Sequence, residues 1–292
     1  PPMSSRTLDA ADPERRALHL FAQYQLHRQL TALTDARPEG ARLYLDLPVG
    51  VHSQSFDVFR EPDCFVKGVD VGAPPDALCP EGQNWGFSPS HPQGQRAQGY
   101  RYMRSFVRGQ LRHAGILRID HVMGLSRIFC IPRGMSAKDG LYLRQPEEEQ
   151  YAIFALEASR SRSVLVGEDL GIVPDEVRAA MAAHGFHRMY VLPFELDRAG
   201  SKAGANPVPD LALSALNTHD MPSFAGLFAG DDIDERLARG VIEASAADEE
   251  RSERRGLVRD LAAALELAPD AGLAEVLEAA LTRLGESASE LE

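Results

Sequence analysis

The sequence predicts an α/β fold: a parallel sheet with crossover helices, read as a TIM-type (β/α)8 barrel that is incomplete. Three observations predict it. Short apolar runs alternate with segments of helical periodicity from residue 12 to residue 220, the pattern of consecutive βα units. Three of those runs end in a carboxylate followed by loop residues, and barrel enzymes carry their active sites at the C-terminal ends of the strands. The chain has 292 residues, room for a barrel of about 250, yet only five runs read as strands, too few to close eight.

Residues 12–33 (DPERRALHLFAQYQLHRQLTAL) place apolar side chains at helical spacing with charges between them, which predicts an amphipathic helix. The turn ARPEGA leads into RLYLDLPVGV at 42–51, a strand-length run. Residues 52–95 are rich in Gly, Pro, Asp and Ser and lack clear periodicity, so they read as a long loop. The lone tryptophan, Trp85, lies in it and favours an ordered, functional loop over a disordered one.

A helix at 97–113 and a strand at 115–120 (GILRID) follow. The next helix, 146–160, starts with proline and glutamates, which suit a helix N-terminus. SVLVGEDLG at 163–171 reads as a strand ending in Glu168 and Asp169, PDEVRAAMAAHG at 174–185 as a helix with Gly185 past its end, and 187–193 and 211–217 as strands. From residue 231 the composition turns to Ala, Leu, Glu, Asp and Arg, which predicts solvated helices. The domains expected are therefore a partial catalytic barrel over 1–230, with the 52–95 loop inserted, and a helical segment over 231–292, inserted in the barrel or appended to it.

The net charge of −12 argues against nucleic acid or an anionic membrane as a partner and is compatible with a neutral substrate such as a sugar. No apolar run approaches the length of about 18 residues that spans a bilayer. The N-terminus has no signal-peptide core. Three cysteines (Cys64, Cys79, Cys130) in no paired or metal-ligand spacing fit a reducing, cytoplasmic compartment.

Asp120, Glu168 and Asp220 each follow an apolar run, separated by enough chain for one or two βα units, so they can converge on one mouth. Carboxylates sharing a cleft repel one another, raising at least one pKa and separating an acid from a base. A nucleophile paired with a general acid is what glycosidic-bond chemistry needs. Two other readings stand beside this one: helix caps or surface acids at the sheet edge, and a metal site drawn from Asp120, His121, Glu168, Asp169, His219 and Asp220.

Four blocks in order, VGAPPDALCPEGQNWG, RIDHVMGLSRIFCIPRG, VGEDLGIVP and NTHDMPSFAG, resemble the 4-α-glucanotransferases (amylomaltases or disproportionating enzymes) of glycoside hydrolase family 77, in the α-amylase clan. The resemblance covers roughly residues 12–230 and is closest to the bacterial maltose-utilisation type. It implies a chain that holds about strands three to seven of the barrel, beginning before the third and stopping before the eighth, and an enzyme that needs no cofactor and no metal.

The resemblance also implies roles. Asp120 matches the nucleophile, with Arg118 orienting it and holding it ionised; Glu168 matches the general acid/base. Asp220 matches the carboxylate that grips sugar hydroxyls and stabilises the transition state, with His219 bonding sugar hydroxyls beside it. Asn84 and Trp85 fall in a loop that arches over the cleft and contacts glucan, and Asp46 lies on the strand that braces the nucleophile. His121 falls behind these as a supporting residue. The function implied is transfer of α-1,4-glucan segments between maltooligosaccharides through a covalent glucosyl-enzyme, with retention. An α-glucan hydrolase of the same clan, or an inactive glucan-binding or interaction fragment, are the alternatives.

Overall fold

A helix opens the described part of the chain. Asp12 caps it by accepting the Glu14 N–H at 3.0 Å, and Pro13 occupies the first helical position, where no N–H is needed. This helix, α1 (Pro13–Ala36), buries none of its residues. It is helical as the spacing predicts, but Leu18, Phe21, Tyr24, Leu26 and Leu33 stay exposed, so its apolar side chains pack against no core. Its cap and its many helix-favouring residues support it locally.

The computed structural model describes residues 12–76, 79–196, 205–287, 289 and 291. Ala77 and Leu78 of the expected cleft loop lie outside the described residues. The chain divides into two units, Pro1–His187 and Arg188–Glu292, and each is described by itself.

In the first unit α1 is followed by β1 (Leu43–Leu47), β2 (Val51–His52), α2 (Phe56–Arg60), β3 (Val69–Ala73), β4 (Gln83–Ser88) and α3 (Pro92–Ala97). Then come α4 (Arg101–Leu111), β5 (Ala114–Ile119), β6 (Arg127–Pro132), β7 (Leu141–Arg144), α5 (Glu147–Ser161), β8 (Val164–Gly167) and α6 (Asp175–Ala183). β9 (Phe186–Val191) carries the chain across the boundary.

β1, β5, β8 and the start of β9 are parallel neighbours, with Leu45 beside Leu117, Leu117 beside Leu165, and Leu165 beside Phe186. Side chains alternate across a strand, so two faces result. Leu47, Leu117, Ile119 and Leu165 join Val107 and Leu111 of α4, Tyr151 and Phe154 of α5, and Val177 and Met181 of α6 in one buried core. Each such aliphatic side chain contributes about 1.5–3 kcal/mol by leaving water. The residues between them, Asp46, Arg118 and Val166, stand in register and face the other way.

A second sheet departs from the sequence reading. β2, β4, β3, β6 and β7 lie side by side in that order, all antiparallel. Of residues 52–95, part of what reads as loop is strand, with Trp85 in one of the strands. The strands are short, and glycines interrupt their alternation. At Gly72 an added Cβ would lie 2.0 Å from the Gln83 carbonyl oxygen, so only glycine lets β3 and β4 approach. Val71, Ile128 and Cys130 form the buried centre of this sheet.

In the second unit, Arg188–Val191 of β9 pair in parallel with β10 (Ala212–Ala215). The chain then turns helical through α7 (Phe224–Ala229), followed by α8 (Asp231–Ala238), α9 (Ala244–Ala264) and α10 (Leu273–Gly285), these last three as the composition from residue 231 predicts. Leu261, Val276 and Ala280 pack with Tyr190 and Leu192 in its core. Among the described residues no helix is long and apolar enough to cross a membrane.

Candidate active site

Arg118 and Asp120 are two residues apart at the tip of β5, so they share a face. Arg118 pairs in register with Asp46 on one side and Val166 on the other. Glu168, two residues beyond Val166, continues the same face. Alternation alone thus brings Asp46, Arg118, Asp120 and Glu168 to one side of the sheet's C-terminal edge.

Backbone bonds fix the tips. The Asp120 N–H donates to the Leu47 carbonyl at 3.0 Å, and the Glu168 N–H to the Ile119 carbonyl at 2.9 Å. The Val122 N–H donates to the Glu168 carbonyl at 3.1 Å. The Glu168 carboxylate accepts the His121 N–H at 2.8 Å on Oε2 and the Leu170 N–H at 3.1 Å on Oε1. His121 sits at φ +48°, a left-handed conformation, which turns its N–H toward Glu168.

The Arg118 guanidinium is buried and bridges two carboxylates. Its Nη1 lies 2.8 and 2.7 Å from the two Asp46 oxygens and 3.1 Å from Asp120 Oδ1. Burial opposes its charge, but the bonds to Asp46, with the charges of Asp120 and Glu168, outweigh that and raise its pKa. Burial pushes Glu168 above the ordinary glutamate value; the two N–H bonds and Arg118 pull it down without cancelling burial, and the Asp120 charge adds to the rise. Burial lowers the His121 pKa against the opposing charge of Asp120, which favours a neutral ring.

Trp85 stands beside these groups. Its ring meets His121 edge-on at 5.3 Å between centroids, and its Nε1–H donates to Gln83 Oε1 at 3.0 Å. Asn84 is exposed, its Oδ1 accepting the Gly86 N–H at 2.9 Å. His121 therefore touches both Glu168, through its backbone, and Trp85, through its ring. Sequence reasoning ranked it behind its neighbours because a left-handed φ leaves no mark on a non-glycine residue. Gln83 went unnoticed, although a polar residue two positions before a strand tryptophan shares its face.

His219 and Asp220 belong to the second unit, on the loop between β10 and α7. Both side chains are exposed, with His219 Nε2 3.6 Å from Asp220 Oδ2. The Asp220 N–H donates to Thr218 Oγ1 at 3.3 Å. Asp169 does not join the carboxylate face: it is buried and paired with Arg178 at 3.1 Å. Among the described residues no group of three or more His, Cys, Asp or Glu is placed to hold a metal ion.

The profile of glycoside hydrolase family 77, described as 4-alpha-glucanotransferase, matches residues 3–291. The 4-alpha-glucanotransferase of Mycobacterium tuberculosis is 38% identical over 251 residues, which cover 82% of this chain and 34% of that protein. The enzyme of the same name from Haemophilus influenzae is 34% identical over 82% of this chain and 35% of its own. Among solved structures, amylomaltase from Corynebacterium glutamicum superimposes with a TM-score of 0.84 at 32% identity, over 96% of this chain and 43% of that one. Amylomaltase from Streptococcus agalactiae, solved with acarbose, shares the fold at a TM-score of 0.73 and 20% identity, over 94% of this chain and 52% of that one. The chain thus spans about a third of the length of the curated relatives it matches.

Proposed function

The chain belongs to the 4-alpha-glucanotransferases of glycoside hydrolase family 77, and from that premise we propose that it moves α-1,4-glucan segments between maltooligosaccharides by a retaining double displacement. The observation that carries this reading is the contrast between two neighbouring carboxyl groups. Glu168 is pushed up by burial, while Asp120 stands 3.1 Å from a fixed guanidinium. One is suited to hold a proton and the other to attack without one.

In the first step Asp120 attacks the anomeric carbon, the bond to the bridging oxygen breaks, and Glu168 gives that oxygen its proton. The product is a glucosyl ester on Asp120. In the second step the 4-hydroxyl of an incoming glucan attacks the same carbon while Glu168 takes its proton. The Asp120 ester bond breaks, and the two inversions restore the α-configuration. Arg118 and Asp46 hold Asp120 in line. Asp220 and His219 bond sugar hydroxyls and favour ring distortion. Trp85 and Asn84 cover the cleft on the glucan and exclude water, which favours a sugar acceptor over hydrolysis. The five parallel strands would be about the third to seventh of an eight-stranded barrel, with residues 231–292 as a helical addition to it. The three unpaired cysteines suit a cytoplasmic setting.

Incubation with maltotriose tests the reading. Glucose with a ladder of longer maltodextrins is expected; glucose and maltose alone would mean a hydrolase, and glucan retention without turnover a binding fragment. Asp120→Asn in the active protein is expected to lower transfer by ~10³-fold or more. Undiminished disproportionation by that variant would remove Asp120 as nucleophile.

A further inference from the structure

The helix α4 carries Arg101, Arg104 and Arg108 at three- and four-residue spacing, so they share a face, and it carries no acid. Arg101 is matched by Glu61, whose Oε1 accepts from it at 3.0 Å. Arg104 and Arg108 turn instead toward α5, where they and Arg160 surround one carboxylate, Glu157. Three guanidinium nitrogens converge on its Oε1: Arg108 Nη2 at 2.9 Å, Arg160 Nη1 at 3.1 Å and Arg104 Nε at 3.6 Å. Glu157 is 2% exposed, while the three arginine side chains are 42–53% exposed. The carboxylate is thus the floor of the cluster and the guanidinium groups are its open side.

The charges do not balance. Hydrogen bonding from Arg108, with the charges of Arg108, Arg160 and Arg104, holds Glu157 below the ordinary glutamate pKa against burial, so it is ionised at neutral pH. Among the described residues no other acid pairs with any of the three arginines, and the cluster keeps a local charge of +2. Donors are also left over. Each guanidinium has five N–H groups. Glu157 takes two from Arg108 and one from Arg160. Arg104 Nε is buried and has no hydrogen-bond partner. Holding three arginines together in the absence of a ligand costs repulsion, and a dianion relieves it.

The cluster lies apart from the transfer site. α4 ends three residues before β5 begins, and α5 three residues before β8, so the helix C-termini sit by the N-terminal ends of those strands. Asp120 and Glu168 lie past the C-terminal ends, on the sheet face turned away from both helices.

We propose that Arg104, Arg108 and Arg160 form a binding site for one phosphate group, carried by the free ion or by a small monoester. At neutral pH a phosphate group carries a charge of about −1.5 to −2, which meets the +2 of the cluster, and its oxygens match the forked guanidinium donors. A carboxylate would leave part of the charge unmet. A long polyanion would carry its other phosphates over a chain of net charge −12, which repels them.

Calorimetric titration of the purified chain with inorganic phosphate, at neutral pH and low salt, tests this. Saturable binding is expected, with acetate at least tenfold weaker. Glycerol 3-phosphate distinguishes the carriers: affinity equal to that of phosphate identifies the free ion, and affinity tenfold higher a monoester. Arg104→Met is expected to weaken phosphate binding about tenfold, as for the loss of one charge-assisted contact. Arg160→Met is expected to do the same, and it carries the test if Arg104→Met does not fold by near-UV circular dichroism. Arg133→Met removes an exposed arginine paired with Asp70 elsewhere in the unit and is expected to leave binding unchanged. Absence of saturable phosphate binding overturns the proposal and leaves the arginines as partners of Glu157 alone. So does native affinity in the folded Arg104→Met or Arg160→Met variant, acetate binding as tight as phosphate, or an equal loss in Arg133→Met. These readouts use no turnover, so they stand apart from success or failure of the maltotriose test.

Discussion

Arg118 is the most constrained side chain of the carboxylate face, since it is buried and its charge is met by two acids. Asp46→Ala removes the two hydrogen bonds that Arg118 Nη1 makes to Asp46, and the loss of hydrogen bonds to a charged, buried group is expected to cost about 2 kcal/mol in urea denaturation. Glu168 sets a pH dependence. Its folded pKa lies above the ordinary 4.5, so its favourable contribution is fully present below pH 4.5 and is lost as pH rises through the raised value. The melting temperature of the native protein relative to Glu168→Gln is therefore expected to fall as pH climbs from 4.5 toward neutrality. A difference independent of pH would contradict the raised pKa. Asp120 and Glu168 were legible in the sequence because a carboxylate at the end of an apolar run contradicts the run. Gln83 was not, nor was the backbone bond by which His121 supports Glu168, because they depend on a strand pairing and a backbone angle that residue types do not announce.

At the scale of elements, the parallel strands were legible because each is a run of strand length rich in apolar residues and bounded by turn residues. β1, β5, β8, β9 and β10 fall where those runs are, within a few residues at the ends. β3 and β4 were hidden because Gly72 and Gly86 break the two-residue period, and RIFCIP, to which the sequence reading assigns no element, forms β6. Gly72 makes a direct test. Gln83 belongs to β4, and its carbonyl cannot retreat from a new methyl group without parting the two strands. Gly72→Ala is expected to destabilise by about 2–3 kcal/mol or more in urea denaturation. It should also disturb Trp85, whose indole N–H is held by the side chain of Gln83. Trp85 fluorescence reports both effects; an unchanged spectrum and midpoint would refute the close approach of β3 to β4. The helix α1 shows the converse: its spacing was read correctly as helical, but its apolar residues do not enter a core.

For the whole molecule, the charge of −12 sets what it avoids. Polyanions are repelled, so no retention on immobilised DNA is expected at physiological salt, and binding there would show a basic patch that net charge conceals. Relatedness is legible across the length of the chain, while the resemblance rests on a few short blocks, and the reason lies in how the reactive groups are aimed. Asp120 and Glu168 are tied down by peptide groups: the carbonyls of Leu47 and Ile119, and the N–H groups of His121, Val122 and Leu170. Every residue offers a carbonyl, and every residue except proline offers an N–H. The side chains at 47, 119, 122 and 170 can therefore be exchanged over long descent without misdirecting the two acids, so long as Arg118 and Asp46 are kept. Proline at 121, 122 or 170 is the substitution that lineage after lineage should be found to avoid.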